Sequence, residues 1–189
     1  MKLKTIIEKA GKVCKTPTAF FTANRQEKGM KEAMQYMFVL GFLFSLLTVT
    51  MNALLAGKKA FATYQNLVLF VLGAQLVLAY LFLIILFFVE AGLVHLFARL
   101  FGGKATYKDT YRIIIYGDTP SLLFGWIPVL GILAFVYSIY IHIVGVRIFH
   151  RLSRGMASLA VLLSVLIMLS ALVMVMRLQG APEIGIAIT

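Results

Sequence analysis

Five long apolar stretches, separated by short loops whose basic residues fall on alternating sides, constrain this chain more than any other feature. A helix needs roughly 20 apolar residues to cross the ~30 Å hydrocarbon core of a bilayer. The stretches run from about Met34 to Ala56, Asn66 to Phe101, Thr110 to Trp126, Val129 to Phe149 and Met156 to Met176. Backbone polar groups find no water at that depth, so each must be satisfied inside its own helix. The expected fold is an all-α integral membrane protein, a bundle of five transmembrane helices. Residues 1–33 form a basic cytoplasmic segment, 34–177 the membrane domain, and 178–189 a short extracytoplasmic tail.

The second stretch is long enough to raise the question of two spans. Its only interruption is Gly73-Ala74-Gln75, which carries neither charge nor proline. Basic residues decide the matter. With five spans, fifteen Lys and Arg flank the N-terminal side, and only Lys58, Lys59 and Arg177 lie on the other. The positive-inside rule then places the N-terminus in the cytoplasm of a cell-membrane protein and the C-terminus outside. Splitting the second stretch would send two basic loops outward, so one tilted or projecting helix is expected.

The net charge of +11 acquires its meaning from that layout. On a soluble chain it would suggest nucleic acid. Beside apolar spans it serves topology and contact with anionic headgroups, so no nucleic-acid partner is expected. Residues 1–15 read as an amphipathic interfacial helix, with Leu3, Ile6, Ile7, Ala10, Val13 and Cys14 on one face. Packing of that face on the protein's own cytoplasmic loops is the other reading. Pro17 ends the helix, and Phe20-Phe21 would dip into the bilayer. The lipid-facing basic surface is expected from Lys2, Lys4, Lys9, Lys12 and Lys15, with His95, Arg99, Lys104, Lys108, Arg147, Arg151 and Arg154 from the later loops.

Small residues let membrane helices approach closely. Gly117, Ser121 and Gly125 form one stripe, Gly131, Ala134, Ser138 and Gly145 a second, and Ala157, Ser164 and Ala171 a third. Gly125-Trp126-Ile127-Pro128 is a tight uncharged turn, which makes the third and fourth spans an antiparallel hairpin. Trp126 is expected to anchor the outer interface.

Three ionisable residues interrupt the apolar spans. Glu90, Asp118 and His142 each lie eight or nine residues from a cytoplasmic boundary. At 1.5 Å per residue that is ~12–14 Å of depth. Ionisable groups there are costly and mark function by default, and a carboxylate–imidazole set is what a proton relay needs. The structural alternatives are equally concrete. Glu90 sits at the interface if its helix lies further outward. Asp118 and Thr119 repair backbone opened by the kink at Pro120. His142 binds a neighbouring carbonyl. Glu90 and Arg99 face opposite sides of their helix and cannot neutralise each other.

Catalytic signatures are missing: there is no His-Glu-x-x-His, Gly-x-Ser-x-Gly, P-loop or Cys-x-x-Cys. Gly102-Gly103-Lys104 reads as a helix stop. Cys14 is the single cysteine, so neither an internal disulfide nor a thiolate metal site is available. No enzyme, metal or cofactor is expected.

Several pieces, taken in order, resemble prokaryotic members of the Yip family, the Ypt/Rab-GTPase-interacting five-span membrane proteins. They are Pro17-Thr18-Ala19-Phe20-Phe21, His95-Leu96-Phe97-Ala98-Arg99-Leu100-Phe101-Gly102-Gly103, Tyr107-Lys108-Asp109-Thr110-Tyr111-Arg112, Tyr116-Gly117-Asp118-Thr119-Pro120-Ser121, Gly125-Trp126-Ile127-Pro128 and Gly145-Val146-Arg147-Ile148-Phe149-His150-Arg151-Leu152-Ser153. The resemblance implies a five-helix bundle with a cytoplasmic N-terminus. The Asp-Leu-Tyr-Gly-Pro motif of eukaryotic members, which act in trafficking with Rab GTPases, is absent; Asp118-Thr119-Pro120 is the nearest match. Two functional readings follow. The first is a non-enzymatic protein that organises or shapes membrane or scaffolds membrane partners, with anionic lipids, copies of itself or other membrane proteins as partners. The alternative is a proton-coupled transporter or small-ion channel that uses Glu90, Asp118 and His142.

Overall fold

The structure is a computed structural model. It describes the backbone of residues 3–26, 29–63 and 67–178, and side chains of those residues except 26, 56–63 and 178. Lys2 and the tail beyond residue 178 lie outside the described residues. Every element among the described residues is helical: α1 (Leu3–Lys15), α2 (Pro17–Ala23), α3 (Lys31–Thr63), α4 (Val68–Leu100), α5 (Tyr107–Gly117), α6 (Thr119–Phe124), α7 (Leu130–His150) and α8 (Arg154–Leu178), with a short 3₁₀ turn at Asn24–Gln26.

Among the described residues, four helical segments are long and apolar enough to cross a membrane: Lys31–Leu55, Val68–Leu100, Leu130–His150 and Arg154–Arg177. Their outer faces carry exposed apolar side chains such as Leu69, Phe70, Leu78, Ile132 and Leu133. Helices apolar all round belong in a lipid environment, and the protein is membrane-embedded. The first helix does not stop at Gly57-Lys58-Lys59 but runs on to Thr63. The long second stretch is one helix of 33 residues, unbroken at Gly73-Ala74-Gln75. The stretch expected as a third span is divided. It forms α5 and α6, 11 and 6 residues long, which meet at Asp118.

Helix α5 starts at a capping box, in which Thr106 accepts from the Asp109 amide and the Asp109 carboxylate accepts from the Thr106 amide. Every residue from Thr110 to Pro120 is buried, which puts this broken element in the middle of the bundle. It packs against α4 on one side and α7 on the other, while α8 lies against α4 and α7, and α3 against α4 and α6. The small-residue stripes sit at these contacts. Ser121 and Ser138 share a hydroxyl hydrogen bond of 2.9 Å, Gly145 lies against Ile113 and Phe21, and Ala157 and Ser164 are buried on α8. Ala171, expected on the same stripe as those two, is exposed.

The N-terminal segment folds onto the bundle. Ile6, Ala10 and Val13 of α1 are buried, while Leu3 and Ile7 remain exposed. Phe20 and Phe21 do not reach outward into lipid; both are buried, edge-on to Tyr116 and Phe149 respectively. Rings of that size are better satisfied by an aromatic core than by a single lipid contact. The buried Arg112 guanidinium ties this segment down, donating to the Asn24 carbonyl at 2.7 Å and lying over the Phe149 ring.

Candidate functional site

The break between α5 and α6 determines where Asp118 points. Pro120 has no amide hydrogen to give to the Tyr116 carbonyl one turn back. The Thr119 hydroxyl donates to that carbonyl instead, at 2.6 Å, and sits 2.8 Å from the Tyr36 hydroxyl. Thr119 thus repairs the opened backbone. The Asp118 side chain takes no part in capping and is left for other partners.

Those partners are His142 on α7 and Glu90 on α4. His142 Nε2 lies 3.7 Å from Asp118 Oδ2, and His142 Nδ1 lies 3.5 Å from Glu90 Oε1. One oxygen of each carboxylate and one imidazole nitrogen all fall within 4.8 Å of one another. Asp118 and His142 are buried, and the Glu90 side chain is 15% exposed. Three residues far apart in the chain form one cluster in the centre of the bundle.

The tautomer of His142 follows from its neighbours. Nε2 lies 3.3 Å from the Ile114 carbonyl, an acceptor only, so Nε2 carries the hydrogen. In a neutral ring Nδ1 is then a bare lone pair. It is buried and makes no hydrogen bond, and it faces a carboxylate oxygen. Two acceptors turned on each other in a buried place repel unless a proton or a cation lies between them. The arrangement is suited to holding one or the other. Gly117 makes the approach feasible, because a β-carbon there would collide with the imidazole.

A second polar group lies nearer the α4–α5 turn, on the same helices. Thr110 Oγ1 is 2.9 Å from His95 Nδ1 and 2.8 Å from His150 Nε2. Thr110 and His150 were not singled out by their sequence positions, because a threonine beside a loop and a histidine at a helix end carry no distinctive pattern. His95 therefore faces Thr110, and Arg99 donates to the Gly103 carbonyl while remaining exposed. Lys9, expected on the lipid-facing surface, turns inward: its ammonium is 2.6 Å from Glu32 and lies over the Tyr116 ring. Lys4, Lys12, Lys15, Lys104, Lys108, Arg151 and Arg154 are exposed, and Arg147 is half-buried.

No curated protein and no solved structure matches this chain. The model of the Yip1 domain matches residues 12–175. That stretch holds the broken α5–α6 element, all three cluster residues and six of the eight helices whole, and the chain belongs to the Yip family.

Proposed function

We propose that this multi-pass membrane protein admits a proton or small cation to the Glu90–Asp118–His142 cluster and is a transporter or channel without enzymatic activity. The observation that carries the reading is the bare Nδ1 of His142 facing the Glu90 carboxylate inside the bundle. A purely structural histidine would direct both nitrogens to complementary partners. Supporting it is the interrupted helix at the same point, since discontinuous helices often build ion sites in transporters. The stretch from Tyr107 to Phe124 would rise roughly 27 Å at 1.5 Å per residue, close to the ~30 Å that a fifth crossing needs. The basic ends of α4, α7 and α8 then lie with the N-terminus in the cytoplasm.

The test is flux in proteoliposomes carrying the full chain. Proton or cation uptake above that of empty vesicles, largely lost in Asp118→Asn, is expected. Equal flux in the two kinds of vesicle, or an Asp118→Asn variant as active as the parent, overturns the reading.

A second reading, membrane organisation or scaffolding at an anionic surface, is favoured by the exposed lysines of α1 and by the uncovered Leu3 and Ile7 beside them. It predicts that removal of residues 1–15 weakens binding to anionic vesicles. Unchanged binding and unchanged vesicle shape would rule it out.

A further inference from the structure

We propose that Glu90, Asp118 and His142 bind one divalent first-row transition-metal ion, of the zinc or manganese class. The inference deepens the reading of this cluster as a cation site and rests on it, but it does not depend on flux. Its first support is spacing. Metal bonds of ~2.0–2.2 Å to nitrogen and carboxylate oxygen place neighbouring ligand atoms about 3–3.5 Å apart. His142 Nδ1 and Glu90 Oε1 are 3.5 Å apart, and a third ligand atom from Asp118 lies within 4.8 Å of the others. Small side-chain rotations close the remainder.

The second support is the imidazole itself. Metal-bound histidines commonly give their other N–H to a backbone carbonyl, which fixes the tautomer and the ring plane. His142 does this to Ile114, leaving Nδ1 buried, unpartnered and turned into the cluster. Gly117, with no β-carbon, lets the ring approach α5 closely.

Charge selects the valence. Two carboxylates and a neutral imidazole exactly balance one doubly charged ion, and a neutral complex costs least in a low-dielectric bundle. A single monovalent cation would balance the site only with one carboxyl protonated. Donor type narrows the choice further. Calcium and magnesium prefer all-oxygen shells, whereas a mixed nitrogen–oxygen set without sulfur suits zinc, manganese or ferrous iron. Three protein ligands leave a further position for water, unlike a closed four-ligand structural site.

The full chain in lipid nanodiscs, stripped with chelator, would be dialysed against Zn²⁺ or Mn²⁺ in excess Mg²⁺, and metal per chain measured by mass spectrometry. One ion per chain is expected, with affinity at least about tenfold weaker in His142→Gln and in Glu90→Gln. Glu8→Gln, on the exposed face of α1, should bind as the parent does. If the variants fail to fold, Co²⁺ added to the parent protein should show nitrogen coupling in its paramagnetic resonance and be displaced by Zn²⁺. No retained metal, undiminished binding in the combined Glu90→Gln, Asp118→Asn and His142→Gln variant, or Co²⁺ without nitrogen coupling each overturns the proposal. Metal bound without flux supports it and removes transport. Proton flux sensitive to Asp118→Asn, in a protein that binds no metal, keeps transport and overturns the metal assignment.

Discussion

Gly117 on α5 lies in direct contact with the imidazole of His142 on α7, at a distance that only a residue without a β-carbon allows. A β-carbon would sit 2.7 Å from Nε2 and closer still to the neighbouring ring carbon. The glycine is a packing requirement of the cluster rather than a flexible joint.

Gly117→Ala should therefore push His142 off its Ile114 carbonyl and away from both carboxylates. Overpacking of this kind costs about 1–3 kcal/mol. A lowered midpoint in thermal unfolding, together with impaired cation binding, is the expected pair of results. An alanine variant as stable as the parent would show that the ring has room to move.

Tyr36 and Thr119 provide a graded comparison. Tyr36→Phe removes one buried hydroxyl and leaves Thr119 bonded to the Tyr116 carbonyl, for a loss of about 1 kcal/mol. Thr119→Val removes the hydroxyl bonded to that carbonyl and leaves the Tyr36 hydroxyl without its partner, and should cost about 1–3 kcal/mol. Denaturation in detergent that ranks the two in the opposite order would contradict the repair role given to Thr119.

Arg112→Lys tests how the N-terminal segment is held. The guanidinium donates to Asn24, pairs with Asp109 at 3.5 Å and lies over Phe149. A lysine ammonium does not reproduce the flat fork or the ring contact. The variant should lose about 1–3 kcal/mol, and limited proteolysis near Arg25 should become faster. Unchanged cleavage would mean that the apolar contacts of Phe20 and Phe21 suffice.

Cys14 offers a simple probe of α1. Partial burial pushes its thiol above its ordinary value, so less thiolate is present at any given pH. Alkylation at neutral pH should be several-fold slower in the folded protein than in the unfolded chain and should rise as the pH is raised. Equal rates in the two states would place Cys14 in free solvent, with α1 detached from the bundle.

Helix content, membrane residence and the matching heights of the three ionisable groups along their helices were legible from the order of residues. Apolar runs of sufficient length leave helices as the way to satisfy buried backbone, and counting residues from a boundary gives distance along an axis. The proline kink was legible too, because a missing amide hydrogen is a local property of Pro120. Which residue repaired it was not. Asp118 and Thr119 are adjacent and both capable, and only packing against Tyr36 assigned the task to Thr119.

Sequence by itself therefore determined that this is an all-helical membrane protein with Glu90, Asp118 and His142 at matching heights along their helices. Tertiary structure decided that those three meet, that His142 turns a bare nitrogen toward Glu90, and that Phe20, Phe21 and Lys9 pack inward. The physical reason is rotational. Spacing along one helix fixes height and relative face, but the angle at which one helix presents a side chain to another depends on contacts between distant parts of the chain, here the Gly117–His142 approach and the α5–α6 break.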